Sequence, residues 1–180
     1  MVDPRHQSQG ALAGLNRGGA KAGGAAVAAA FKVYGPVVEG ALKPGGDLDD
    51  PSTLARVVPS AAADGEVMIL CIGGSGSMRA GMNLVMNFRQ MGLYHMLILA
   101  PQKSVCDDLW GSLPSLACVW WPSQCASPRP HSLYNTLFSR YALAFFEARK
   151  VLLERLVLDH RLNVLHLDAD TVWFANPYPY

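Results

Sequence analysis

Four short apolar runs organise the latter two-thirds of the chain. Residues 66–72 are almost continuously apolar and lie between Asp64-Gly65 and Gly73-Gly74. An apolar run of that length between turn formers is the pattern of a strand buried on both faces. Residues 94–99 repeat it before Ala100-Pro101, residues 117–121 give a third case, and residues 162–167 a fourth that ends at Asp168. The intervals between the runs have a different period. Met78, Met82, Val85 and Phe88 follow Ser77 at helical spacing and stop at Gly92, a C-terminal cap residue. Residues 104–109 suit a short helix, and Asp50-Pro51-Ser52-Thr53 caps another that runs to Val58 and is ended by Pro59. Residues 122–130 carry three prolines and are expected to be a loop. Beyond it, Leu133, Leu137, Tyr141, Phe145, Ala148, Leu152 and Leu156 recur every three or four positions, which predicts a helix over 132–160. Strands alternating with helices in this order predict an α/β fold: a mostly parallel sheet flanked by helices, with right-handed crossovers.

Composition changes this picture mainly at the N-terminus. The 180 residues carry a net charge of +1 and are 51% apolar, which argues against a basic nucleic-acid binder and against a disordered acidic tail. No run of 18 apolar residues exists, so no membrane-spanning helix is expected. Residues 1–65 hold 11 of the 17 glycines but only two aromatics, Phe31 and Tyr34. So few large side chains cannot offset the entropy of ordering the backbone. Residues 1–52 are therefore expected to be a disordered leader and residues 53–180 a folded domain. The four cysteines, Cys71, Cys106, Cys118 and Cys125, form no CxxC pair, and their spacing matches neither a zinc ribbon nor a familiar disulfide framework. The aromatics beyond the last strand, Trp173, Phe174, Tyr178 and Tyr180, are expected to lack packing partners.

The candidate chemistry gathers at the fourth strand. Asp168 and Asp170 follow it two residues apart, and continued strand geometry would project both to one side of the sheet. They fall at the carboxyl end of a parallel strand, where open sheets bind ligands. Two neighbouring carboxylates call for a hard divalent cation with oxygen ligands, and such an ion suits a diphosphate. The competing reading is a pair of acidic turn residues with no ligand. The segment Gly73 to Arg79 leaves one strand and opens a helix, so backbone N–H groups at Gly74 and Ser75 can meet a phosphate. It is a near miss for a dinucleotide fingerprint, with Arg79 in the third glycine position. Arg149 and Lys150 stand late in the long helix with a phosphate within reach, unless they belong to a solvated face with Glu147 and Glu154. His166 alternates onto the side of Asp168 and Asp170, and reads as a hydrogen-bonded core histidine.

Residues 163–178, with their strand, Asp168-Ala169-Asp170, Trp173 and the Asn176-Pro177 turn, resemble the signature of nucleotide-diphospho-sugar transferases related to plant and algal cell-wall arabinosyl- and xylosyltransferases. The helix containing Asn87-Phe88 and the helix with Arg149-Lys150 also resemble that family, and the likeness covers roughly residues 54–180. The resemblance implies a GT-A-like, Rossmann-like fold, here C-terminally incomplete, and a retaining glycosyltransferase that uses Mn²⁺ or Mg²⁺. It implies a nucleotide-sugar donor, a glycan or glycoprotein acceptor and residence in the Golgi. By position, Asp170 would ligate the metal, and Asp168 would contact the ribose or the metal. Asp168, Ala169, Asp170, Gly74, Ser75 and Lys150 would together form the nucleotide-sugar site. Two other readings compete: a haloacid-dehalogenase-type phosphatase, in which Asp168 is the nucleophile and Asp170 the acid/base, and a truncated remnant without turnover.

Overall fold

A computed structural model describes residues 43–126 and 137–178, with backbone alone for 137–141. Its sheet has five parallel strands. They are β1 (Gly45–Asp47), β2 (Glu66–Cys71), β3 (Met96–Ala100), β4 (Ala117–Trp120) and β5 (Asn163–Leu167), in the order β1-β4-β3-β2-β5. The helices are α1 (Thr53–Ala61), α2 (Ser75–Gln90), α3 (Lys103–Ser112), α4 (Pro122–Ala126) and α5 (Leu137–Leu158). The expected α/β class with a parallel sheet is therefore present.

The helices cover the two faces in a way that follows from the handedness of crossovers. The chain steps from β2 to β3 to β4 in one direction and returns to the far side of β2 for β5. Right-handed connections in opposite directions lie on opposite faces. Met68, Leu70, Met96 and Ile98 pack against Leu84, Val85 and Phe88 of α2 and Leu109 and Trp110 of α3. The alternate strand residues Val67, Ile69, Leu97 and Leu99 pack against Leu54 and Val57 of α1 and Ala148, Leu152 and Leu156 of α5. Burial on both faces explains the continuous apolar runs, because neither parity of a central parallel strand meets water.

Local chemistry sets the ends of the elements. After α2, the Gly92 N–H donates to the Arg89 carbonyl and the Leu93 N–H to the Phe88 carbonyl, with Gly92 at φ +76°. This is a Schellman cap. Pro59 lies inside α1 rather than ending it, and Ala62 is the C-cap. The expected loop opens with a short helix at Pro122–Ala126, and its remainder lies outside the described residues.

Three features depart from the sequence reading. Strand β1 and the buried Leu48 lie upstream of residue 53, inside the stretch expected to be leader. Residues 45–50 belong to the domain through the backbone pairing of a three-residue strand with β4, which needs no apolar pattern, and through the buried Leu48. Asp49 then accepts from the Trp121 indole at 3.0 Å and from the Ser123 hydroxyl, clipping the segment to the start of α4. Residues 1–42 lie outside the described residues. Secondly, Cys106 of α3 and Cys118 of β4 form a disulfide, although 12 residues separate them. Helix α3 folds back on the strand that follows it, which brings two buried sulfurs together. Thirdly, two of the aromatics after β5, Trp173 and Tyr178, do find packing partners. Trp173 packs on Phe88 at 5.6 Å between ring centroids, and Tyr178 on His95 at 5.2 Å. Phe174 is 97% exposed, and Tyr180 lies outside the described residues.

Candidate functional site

Strands β2 and β5 are neighbours whose flanking crossovers run to opposite faces, so the crevice between their carboxyl ends is the switch point of the sheet. Gly73-Gly74 leaves β2 there, and Asp168-Ala169-Asp170 leaves β5 beside it. Gly74 has φ +148° and ψ −163°, a conformation essentially reserved for glycine, and this lets the chain turn directly into α2. Helix α2 starts at Ser75, two residues before the expected Ser77. Its N-cap residue, Gly74, supplies no side-chain cap. The Ser77 hydroxyl instead accepts from the Gly73 N–H at 3.0 Å and donates to the Gly74 carbonyl at 3.2 Å, bracing the loop.

A cavity of about 710 Å³ opens over this loop. Gly74, Ser75 and Gly76 form one side of it. Pro101 and Gln102 after β3, Pro122 and Cys125 after β4, and Ala142 and Phe145 of α5 also line it. None of these lining residues is an acid or a basic side chain. Gly74 and Ser75 thus reach a common cavity, whose wall is largely apolar.

The carboxylates stand to one side of that cavity. Strand geometry ends at Leu167, and Ala169-Asp170 form a turn closed by the Thr171 N–H at 3.2 Å and the Thr171 hydroxyl at 2.8 Å, both on the Asp168 carbonyl. The expected strand alternation therefore does not govern Asp168 and Asp170: the backbone turns between them. Both carboxylates are exposed, while Ala169 is half-buried against the α2 side of the sheet.

Among the described residues, Arg149 is the basic residue paired with the turn. Its guanidinium lies 3.9 Å from Asp168 Oδ1, donates to His166 Nε2 at 3.2 Å and stacks over Phe146 at 4.7 Å. Only 21% of its side chain is exposed. Lys150, the residue favoured from sequence, is exposed one position further round the helix. Helical spacing makes both plausible along the chain, and only the packing of α5 on β5 selects between them. His166 accepts from an arginine, so it is neutral at Nε2. Burial and then the Arg149 charge hold its pKa below 6.5. Cys71, at the end of β2, is pushed up to about 12 by burial, against a smaller opposing pull from Arg149.

Among the described residues no group of three or more His, Cys, Asp and Glu side chains is placed to hold a metal. Asp168 and Asp170 are both exposed at the turn, Asp168 beside the Arg149 guanidinium, and a Mg²⁺ or Mn²⁺ ion on either carboxylate would take its other oxygens from a ligand and water. Among the described residues no helix is long and apolar enough to cross a membrane. Compared with known proteins, the chain matches no family model, no curated protein and no solved structure.

Sequence reasoning missed Asn87 as a contact of the site. Its Oδ1 accepts the Trp173 N–H at 3.1 Å, across 86 residues of chain. The only signal was the presence of Asn87-Phe88 and Trp173 in the same family resemblance.

Proposed function

We propose that this chain binds a nucleotide-diphospho-sugar together with Mn²⁺ or Mg²⁺, and that it serves a retaining glycosyltransferase acting on a glycan or glycoprotein acceptor. The observation that carries this reading is the juxtaposition at the switch point: an acidic turn leaves β5 beside the Gly-rich loop that opens α2 over a cavity of about 710 Å³. The parts divide the ligand by chemistry. The apolar wall of Phe145, Pro101 and Pro122 suits a flat nucleoside, the backbone N–H groups at Gly74 and Ser75 suit phosphate oxygens, and the carboxylates suit a cation on the diphosphate. Such a cation would stabilise negative charge on the departing nucleoside diphosphate. Arg149 supplies a fixed positive charge beside the turn and keeps Asp168 near it.

Calorimetric titration of the full chain with UDP, with and without Mn²⁺, tests the reading. Binding should require Mn²⁺. Asp170→Asn removes one negative charge without changing shape and should weaken metal-dependent binding at least tenfold with no loss of stability, since Asp170 is exposed. Metal-independent binding that survives Asp168→Asn and Asp170→Asn would refute the assignment. A phosphoaspartate analogue trapped with fluoride at Asp168 would favour the phosphatase instead.

A further inference from the structure

The acidic turn has two anchors. On its N-terminal side the β5 ladder ends at Leu167, paired with the fully buried Leu70 of β2. The turn itself is exposed: Asp168, Asp170, Thr171 and Val172 all face water. On its C-terminal side the first residue to turn inward is Trp173. Val172 and Phe174 on either side are 68% and 97% exposed. Trp173 is held twice, by its N–H on Asn87 Oδ1 at 3.1 Å and by its ring on the fully buried Phe88. Further along, the Tyr178 hydroxyl bonds His95 Nε2 at 2.8 Å, where His95 is itself fully buried. The segment therefore runs as a strap from the turn to the beginning of β3.

Only five residues lie between Leu167 and Trp173, so clamping both ends restricts the conformations open to the loop between them. We infer that Asn87 is a positioning residue for the acidic turn: through the Trp173 backbone it holds residues 168–171 in the conformation that presents the two carboxylates. Asn87 does not touch the ligand in this scheme. Trp173 is half-buried and lies beyond the β5 ladder, and its N–H finds its acceptor in Asn87 Oδ1. The inference rests on the metal reading above for its functional consequence, though not for the anchoring itself.

The experiment compares wild type, Asn87→Ala and Asn87→Asp as full chains. Asp retains an oxygen acceptor, whereas Ala does not. Hydrogen–deuterium exchange of the 168–173 peptide should quicken about fivefold in Asn87→Ala, the scale of one net hydrogen bond, while β5 exchange stays unchanged and Asn87→Asp restores the wild-type rate. Mn²⁺-dependent UDP binding should weaken by a similar factor in Asn87→Ala and recover in Asn87→Asp. Wild-type exchange in Asn87→Ala overturns the anchoring. Faster exchange with unaltered Mn²⁺-dependent affinity overturns the positioning role. A wild-type chain without Mn²⁺-dependent binding overturns the function proposed above, and exchange alone then decides the role of Asn87.

Discussion

Breaking the disulfide between Cys106 and Cys118 gives a quantitative test of the fold. The bond closes a loop of sequence separation 12 between α3 and β4. In the chain-entropy account, a cross-link over that length removes about 9–10 cal/mol/K from the unfolded ensemble, about 3 kcal/mol at 25 °C. Both cysteines are fully buried, and alanine in place of Cys106 adds a small cavity cost. For a domain of this size such a loss should lower Tm by roughly 10 °C. The assay is calorimetric unfolding of oxidised wild type, wild type refolded under reductant, and Cys106→Ala. The last two should both unfold well below the first, Cys106→Ala slightly the lower of them. Alkylation in denaturant without reductant should label two of the four thiols. Four labelled thiols, or a variant that melts with oxidised wild type, would refute the reasoning. The disulfide also joins the elements that follow Pro101-Gln102 and precede Pro122 on the cavity wall, so loosening it should weaken any ligand bound there.

Further expectations follow from individual groups. His166 has a folded pKa below its unfolded value, so its contribution to stability is present above about pH 6.5 and is lost as the pH falls through the folded value. His166→Gln keeps an acceptor for Arg149 and should flatten the fall in urea midpoint between pH 7 and pH 5. The Cys71 and Cys125 thiols, pushed up to about 12 and about 11 by burial, should resist iodoacetamide at pH 8 in the native protein and react fully on unfolding. A Cβ at Gly45 would clash with the Cys118 carbonyl oxygen and lie 2.6 Å from the Trp110 ring. Gly45→Ala should therefore cost about 1–3 kcal/mol in chemical unfolding, whereas no change would show that β1 adds nothing to the domain.

The sequence by itself determined the periodic elements. Buried parallel strands write themselves as unbroken apolar runs, and α2 and α5 as stripes at helical spacing, because each element must hide one or two faces wherever it ends up. The candidate carboxylates were legible for the same reason: a polar pair directly after an apolar strand marks the point where that strand leaves the core. Strand β1 was not legible. Gly45-Gly46-Asp47 has no apolar signature, and its place in the sheet depends on backbone groups of β4 and on room beside Trp110. The disulfide was not legible because a spacing of 12 says nothing until α3 is known to fold back on β4. The choice of Arg149 over Lys150, and the hold of Asn87 on Trp173, also required the tertiary structure. Adjacent positions on a helix differ by about 100° around its axis, and residues 86 apart meet only because β5 returns to the outer side of β2. Local pattern reports what each segment must bury, whereas the pairing of distant polar groups depends on the order of strands in the sheet.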